Sequence, residues 1–261
     1  MDLRFSRVGL ERLGVGLVAA ALLYPFAGLL APVGAWMWSG SIARASWESA
    51  RTSLVLTGLA MIIVVIVGTP VALYVARCAK RERIWWVAAF LLSILLPPLA
   101  LGLLFAIAFG PHTWVGRALL QVGIPPSNSA AAFVATQIYV GAGYYVLGSI
   151  AALRMVPVAL EQQAALLGSS PWRTFWEVTV PLAGAGLAAA LGLAWVRAIG
   201  EFGAVMVTAY YPAGMPVQLW TNLQNFGLPA VLPLLVIFIV TTLPLVWLLQ
   251  IVAQRRGEAD A

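Results

Sequence analysis

The stretch EQQAALLGSSPWRTFWEVTVP, Glu161 to Pro181, decides how this chain is read, because it is polar and helix-capable yet lies between two long apolar runs. Leu160, Ala164 and Leu167 recur at i, i+4 and i+7 and so share one helical face, while the small Ala164 and Ala165 permit close approach to another surface. Gly168 suits a left-handed helix stop, and Ser170 followed by Pro171 is a good N-cap and first-turn pair for a second helix. Pro181 is expected to close the piece just before the next apolar run. The pattern predicts two short helices around a break. Two roles fit it equally: a docking knob for a groove on a partner protein, or an amphipathic helix lying on lipid.

The surroundings of that stretch are membrane-like. The chain has 261 residues, 62% hydrophobic and 9% charged, with a mean hydropathy of +0.95, and has too few polar side chains to cover a soluble globule. Windows of about twenty apolar residues place spans at 13–36, 53–76, 85–109, 130–152, 182–209 and 229–253. The expectation is an all-α integral membrane protein with about six transmembrane helices. Arg4, Arg7 and Arg12 resemble the charged start of a signal peptide, but the run behind them exceeds the usual signal core of about 7–15 residues, so it is read as a retained span. A net charge of +6 and a pI near 10.0 do not imply nucleic acid as a partner, because the basic residues sit in the short connections rather than on one face of a soluble domain. Their placement sets topology. With the N-terminus inside, only Arg44, Arg51 and Arg117 fall in outer loops, so both termini are expected on the cytoplasmic side. On that reading the Glu161–Pro181 stretch is cytoplasmic, and 110–129 and 210–228 are outer segments rich in Pro, Gly, Trp and Asn that lie at the outer interface. A single cysteine, Cys78, and a single histidine, His112, point to neither an internal disulfide nor a metal site.

Glu161, Gln162, Gln163 and Ala164, then Gly168, then Val178, Val180 and Pro181, resemble the coupling-helix signature of the permease subunits of binding-protein-dependent ABC importers. Gln163 departs from that pattern, standing where the family often has alanine. Ser53 to Arg77 resembles the first helix of the family's conserved core, and LLPPLALG, Leu95 to Gly102, the helix that follows. RAIGEFGAVMVTAYYP, Arg197 to Pro212, is similar to the fifth-span segment of the molybdate, tungstate and sulfate permeases. The resemblance implies a type I ABC importer permease fold in the cell inner membrane. It divides the chain into a cytoplasmic segment, first helix and outer loop at 1–48, a permease core at 49–252 and a cytoplasmic tail at 253–261. It implies a homodimer of permeases docked on ABC ATPase subunits, with Glu161, Ala164, Ala165, Gly168, Ser170, Pro171 and Pro181 forming the ATPase-coupling piece. An extracytoplasmic solute-binding protein would deliver the anion. The chain itself is expected to be non-catalytic and without a cofactor: no Gly-x-x-x-x-Gly-Lys-Ser/Thr run occurs, and the sole lysine, Lys80, follows no glycine-rich loop. ATP and Mg are therefore expected on the partner ATPase.

Candidates for the path or its gate come from charge and breaks inside spans. Arg197 and Glu201, at i and i+4, are the one ionisable pair within a predicted span, and such residues usually face a bundle interior or a watery path. They fit an anion contact or gate, and they also fit a structural ion pair. Pro97 and Pro98 are expected to break or kink span three, and Tyr144, with Tyr139 and Tyr145, offers hydroxyls on span four. The other readings are an importer permease for a different solute and a gradient-driven secondary transporter, although no second copy of the coupling stretch is visible. A membrane enzyme is disfavoured, since no paired His, Asp or Glu cluster stands at catalytic spacing within the spans.

Overall fold

The computed structural model describes residues 3–30 and 40–259. It is built from helices α1 (Leu3–Leu23), α2 (Gly40–Arg77), α3 (Lys80–Leu95), α4 (Pro98–Phe109), α5 (Trp114–Gln121), α6 (Ala130–Met155), α7 (Val158–Leu166), α8 (Pro171–Thr174), α9 (Val180–Ile199), α10 (Gly203–Thr208), α11 (Met215–Phe226) and α12 (Leu232–Ala259). Among the described residues, three helical runs are individually long and apolar enough to cross a membrane: α2, α6 and the continuous stretch Pro171–Ile199. The bent pair α3–α4 makes a fourth, and shorter apolar helices cover Gly14–Gly28 and Leu228–Pro244. Every predicted apolar window thus meets an apolar helix, although residues 31–36 of the first lie outside the described residues.

Proline and capping chemistry set most helix ends. Leu96 ends α3 with ψ 131, the extended conformation that a following proline enforces, and Pro98 opens α4 at the first turn, where a missing N–H costs nothing. Ser129 caps α6 by accepting the Ala132 N–H at 3.1 Å, and Val156 ends it in extended conformation before Pro157.

The core is a bundle of α2, α6, α9 and α12 packed through small residues. An added Cβ on Gly148 would lie 2.7 Å from Ala190 Cβ, and one on Gly186 would lie 2.4 Å from Ala152 Cβ. Gly148 and Ala152 on α6 thus interlock with Gly186 and Ala190 on α9, each pair four residues apart. That pattern lets helix backbones approach in an apolar solvent, where burial of apolar surface gives no net drive. Outward faces carry exposed apolar side chains such as Ile62, Ile66 and Val67, as a surface bathed by lipid tails would.

Span three is broken, as its prolines lead one to expect: α3 and α4 meet at 107° with Pro97 and Pro98 at the interruption. Four expectations are corrected. Span two is longer than its apolar window, since α2 runs 38 residues, about 57 Å at 1.5 Å per residue and well beyond the hydrocarbon thickness. Span five ends at Ile199 rather than 209, so Glu201 lies off the helix that carries Arg197. Pro181 does not close the preceding piece. A π-turn at Phe175–Thr179 joins α8 to α9, with the Val180 N–H donating to Phe175 O, and the helix continues through Pro181. The extra residue of a π-turn relieves the clash a proline ring makes with the carbonyl four residues back. The 210–228 segment also differs from a loop at an interface: its α11 packs on α2 and α12, Met215 and Val217 are fully buried, and the Met215 N–H donates to Ser53 Oγ at 2.8 Å.

Candidate functional site

The Glu161–Pro181 stretch forms a knob at one end of the bundle. α7 has no buried residue, and the leucines at its tip, Leu166 and Leu167, are 87% and 89% exposed. The turn after it has the predicted chemistry. Gly168 has φ +87, the Gly168 N–H donates to Ala165 O and the Ser169 N–H to Ala164 O, both at 3.0 Å. These are the two bonds of a Schellman stop, and they satisfy carbonyls that the helix end would leave open. Ser170 caps α8 by accepting the Arg173 N–H at 3.3 Å, with Pro171 in its first turn. Ala165, Gly168 and Pro171 are exposed and Ala164 half-buried.

Glu161 is different. Its Oε1 lies 2.7 Å from the Arg77 guanidinium at the end of α2 and accepts the Thr179 hydroxyl at 2.8 Å. One carboxylate oxygen therefore ties α7 to α2 and to the π-turn leading into α9. Arg77 and Glu161 keep 24% and 20% of their side-chain exposure, and both line a cavity of about 310 Å³ with Ala165, Ser169, Pro171 and Phe175. Arg77 and Thr179 were not identifiable as site residues from sequence, because they lie 84 and 18 positions from Glu161 and no local spacing marks either contact.

The second site is where two broken helices cross. Glu201, fully buried, sits in the break between α9 and α10 and divides its carboxylate. Oε2 pairs with Arg197 on the last turn of α9, and Oε1 accepts the Ala204 N–H at 2.7 Å, satisfying an amide of the first turn of α10. Arg197 retains 28% of its side-chain exposure, on the flank of α9 where Leu193 and Val196 are also exposed. The break that holds Glu201 rests on the start of α4. A Cβ on Gly203 would stand 2.8 Å from Pro98 Cβ and 2.9 Å from the Leu99 nitrogen, and one on Gly102 would stand 2.9 Å from Ala204 Cα. Two interrupted helices thus meet backbone to backbone at their interruptions, bringing Pro98, Gly102, Gly203 and Glu201 together. Tyr144 packs half-buried against the main core, whereas Tyr145 is buried and shares a 2.7 Å hydrogen bond with Thr69, and Tyr139 stacks edge-on against Phe105 of α4.

Residues 68–258 match the family described as binding-protein-dependent transport system inner membrane component. The chain is 32% identical over 234 residues to a probable molybdenum ABC transporter permease protein of Haloferax volcanii, covering 87% of this chain and 85% of that protein. It is 29% identical over 196 residues to the molybdate/tungstate transport system permease protein of Pyrococcus furiosus, covering 75% of this chain and 74% of that one. Its fold is that of a chain of a bacterial alginate ABC transporter solved in complex with alginate pentasaccharide-bound periplasmic protein, with a TM-score of 0.74 at 15% identity over 97% of this chain and 96% of that one. By sequence and fold together, the chain belongs to the binding-protein-dependent inner-membrane components, the non-catalytic permease subunits of ABC importers.

Proposed function

We propose that this chain forms the translocation path for an oxyanion such as molybdate, tungstate or sulfate, drawing its energy from a separate ATPase. The relatives named for molybdenum and for molybdate/tungstate, matched over most of the chain, support the substrate class. The observation that carries the coupling mechanism is the α7 knob, which is bare at its tip and ionically tied at its base. In this reading the knob faces the cytoplasm and fits a groove on an ABC ATPase, with Leu166, Leu167 and Ala165 as contact surface and ATP and Mg held by that partner. Glu161 acts through Arg77 and Thr179 as a positioning residue. When the ATPase dimer closes, α7 moves as a rigid piece, and its clamp passes the movement to α2 and, through the π-turn, to α9. The crossing of α4 and α10 is then the gate: Pro97 and Pro98 supply the break on one side, and Glu201, held by Arg197, supplies it on the other. A second permease copy would complete the path, and an extracytoplasmic binding protein would load it.

Reconstituting the permease with its ATPase and binding protein in vesicles tests this directly. ATP hydrolysis and uptake should rise with molybdate or tungstate, with sulfate as the competing oxyanion. Stimulation by a different class of solute and none by any oxyanion would leave the importer standing and remove the substrate assignment.

A further inference from the structure

Beside the first turns of α3 runs an open trough of about 460 Å³. Lys80, Arg83 and the Arg154 side chain from the end of α6 stand at one part of it, and Ile84, Val87 and Leu91, spaced at i, i+3 and i+7, form an apolar wall. Among the described residues, three cations and no carboxylate line it. Glu82, the acid in this turn, is engaged by the Tyr74 hydroxyl and the Trp86 indole N–H. Arg83 is fixed at the trough by donating to Cys78 O at 2.8 Å and Val75 O at 3.3 Å, while Lys80 and Arg154 take no part in the ion pairs found among the described residues. The α3 N-terminus here has no side-chain cap, so its first amides are open to an acceptor. Trp85 and Trp86, 74% and 42% exposed, follow within one turn, as aromatic residues do at the level of lipid headgroups.

A water-soluble anion would account for the cations but not for the exposed apolar wall, and an acyl chain alone would not account for the cations. We propose that the trough holds one anionic phospholipid of the cytoplasmic leaflet, its phosphate between Lys80, Arg83 and Arg154 and an acyl chain along Ile84, Val87 and Leu91. The leaflet rests on the orientation proposed above; the site itself does not. Because Arg83 also holds the end of α2, the lipid would fasten the α2–α3 corner to the foot of α6, two residues before the turn into the coupling knob.

The test uses the complete permease in nanodiscs of phosphatidylcholine with a graded share of phosphatidylglycerol, scoring retained phosphatidylglycerol by native mass spectrometry after release into detergent. One retained lipid per chain is expected. Lys80→Gln with Arg154→Gln should weaken retention about thirty-fold, the combined effect of two cations near a membrane surface. Arg81→Gln removes an exposed cation of the same turn that does not line the trough and should change nothing. Leu91→Trp keeps every charge, fills the apolar wall and should also lower retention, so a folding failure of the charge variant would not shield the idea. Equal loss with Arg81→Gln would reduce the effect to diffuse attraction and overturn the site. Displacement by inorganic phosphate or glycerol 3-phosphate would reassign it to a free anion. Full lipid retention with reduced ATPase recovery in the double variant would reassign the cations to the partner protein. A wrong orientation shows separately, as labelling of Arg81→Cys, a position outside the trough, from the outer side with retention unaffected.

Discussion

At Gly168 the left-handed φ does more than the space around it, since an added Cβ would meet nothing within 4 Å among the described residues. Gly168→Val should therefore cost about 1 kcal/mol or more from backbone strain alone, loosening the Schellman stop without disturbing the spans. Gly168→Asn, which enters that region more readily, should retain most of the coupling. Co-purification of the ATPase with each variant decides the matter: the valine variant should insert normally yet recover little ATPase, and undiminished recovery and transport would mean that the knob merely lies on lipid. Glu161 calls for a different experiment, because it points into the protein. Glu161→Gln and Arg77→Leu should each lower coupled ATP hydrolysis and be far from additive. A double-mutant cycle on stability should return no more than about 1 kcal/mol, as befits a pair that keeps part of its exposure to water. The capping residues were legible in the sequence because Gly, Ser and Pro act on their immediate neighbours. The clamp was not, because a salt bridge spanning 84 positions is set by how α2 and α7 pack.

At the scale of elements, α4 and α10 approach so closely that glycine is required on both. Gly203→Ala would put a methyl group 2.9 Å from the Leu99 nitrogen and 2.8 Å from Pro98 Cβ, contacts that backbone cannot yield to cheaply. It should prise the crossing open, lowering the melting temperature and giving ATP hydrolysis poorly matched to uptake; a Gly203→Ala permease with normal coupling would remove this crossing as the gate. The ion pair beside it separates two roles. Arg197→Met alone strands a buried carboxylate that keeps only the Ala204 amide, a loss of about 3 kcal/mol. Adding Glu201→Leu removes the stranded charge and leaves one unpaired amide, so stability should largely return, and transport with it if the pair serves only the α9–α10 junction. A double variant that assembles but moves no anion would instead place the Arg197 guanidinium in contact with the cargo. The broken third span is legible in the sequence, since consecutive prolines cannot continue a helix. The end of span five is not, because apolar residues resume at once after Gly200–Phe202 and hydropathy carries no record of a turn made by one buried glutamate. The π-turn ahead of Pro181 escaped notice for a related reason: a proline near the start of a helix and one just past its end look alike in composition.

On the scale of the whole molecule, the six-span orientation rests on where cations fall, and the structure changes how it should be probed. Asn128 would be an obvious outer label, but it has φ +46, its N–H donates to Thr208 O at 2.9 Å, and its side chain accepts the Tyr211 N–H at 3.4 Å. A cysteine there would strain the backbone and cut the tie between the α5–α6 and α10–α11 connections, confounding exposure with local opening. Ser127, next to it, is exposed and makes a cleaner outer position; Gln162, exposed on the knob, is the matching inner one, whereas Ser169 is half-buried against the cavity behind α7. In a background with Cys78 replaced by serine, Ser127→Cys should react with an impermeant maleimide in intact cells, and Gln162→Cys only after the membrane is breached. The 107° elbow makes the result informative, since α3 and α4, of 16 and 12 residues, extend about 24 and 18 Å, and neither alone covers a hydrocarbon core of about 30 Å. If the pair crosses, Ser127 and Gln162 lie on opposite sides with α6 between them, and Lys80 lies with Gln162. If the pair instead re-enters and returns, Lys80 lies with Ser127. Labelling all three positions separates the cases, and Lys80→Cys reacting together with Ser127→Cys would overturn the six-span model while leaving the knob's own side to be read from Gln162.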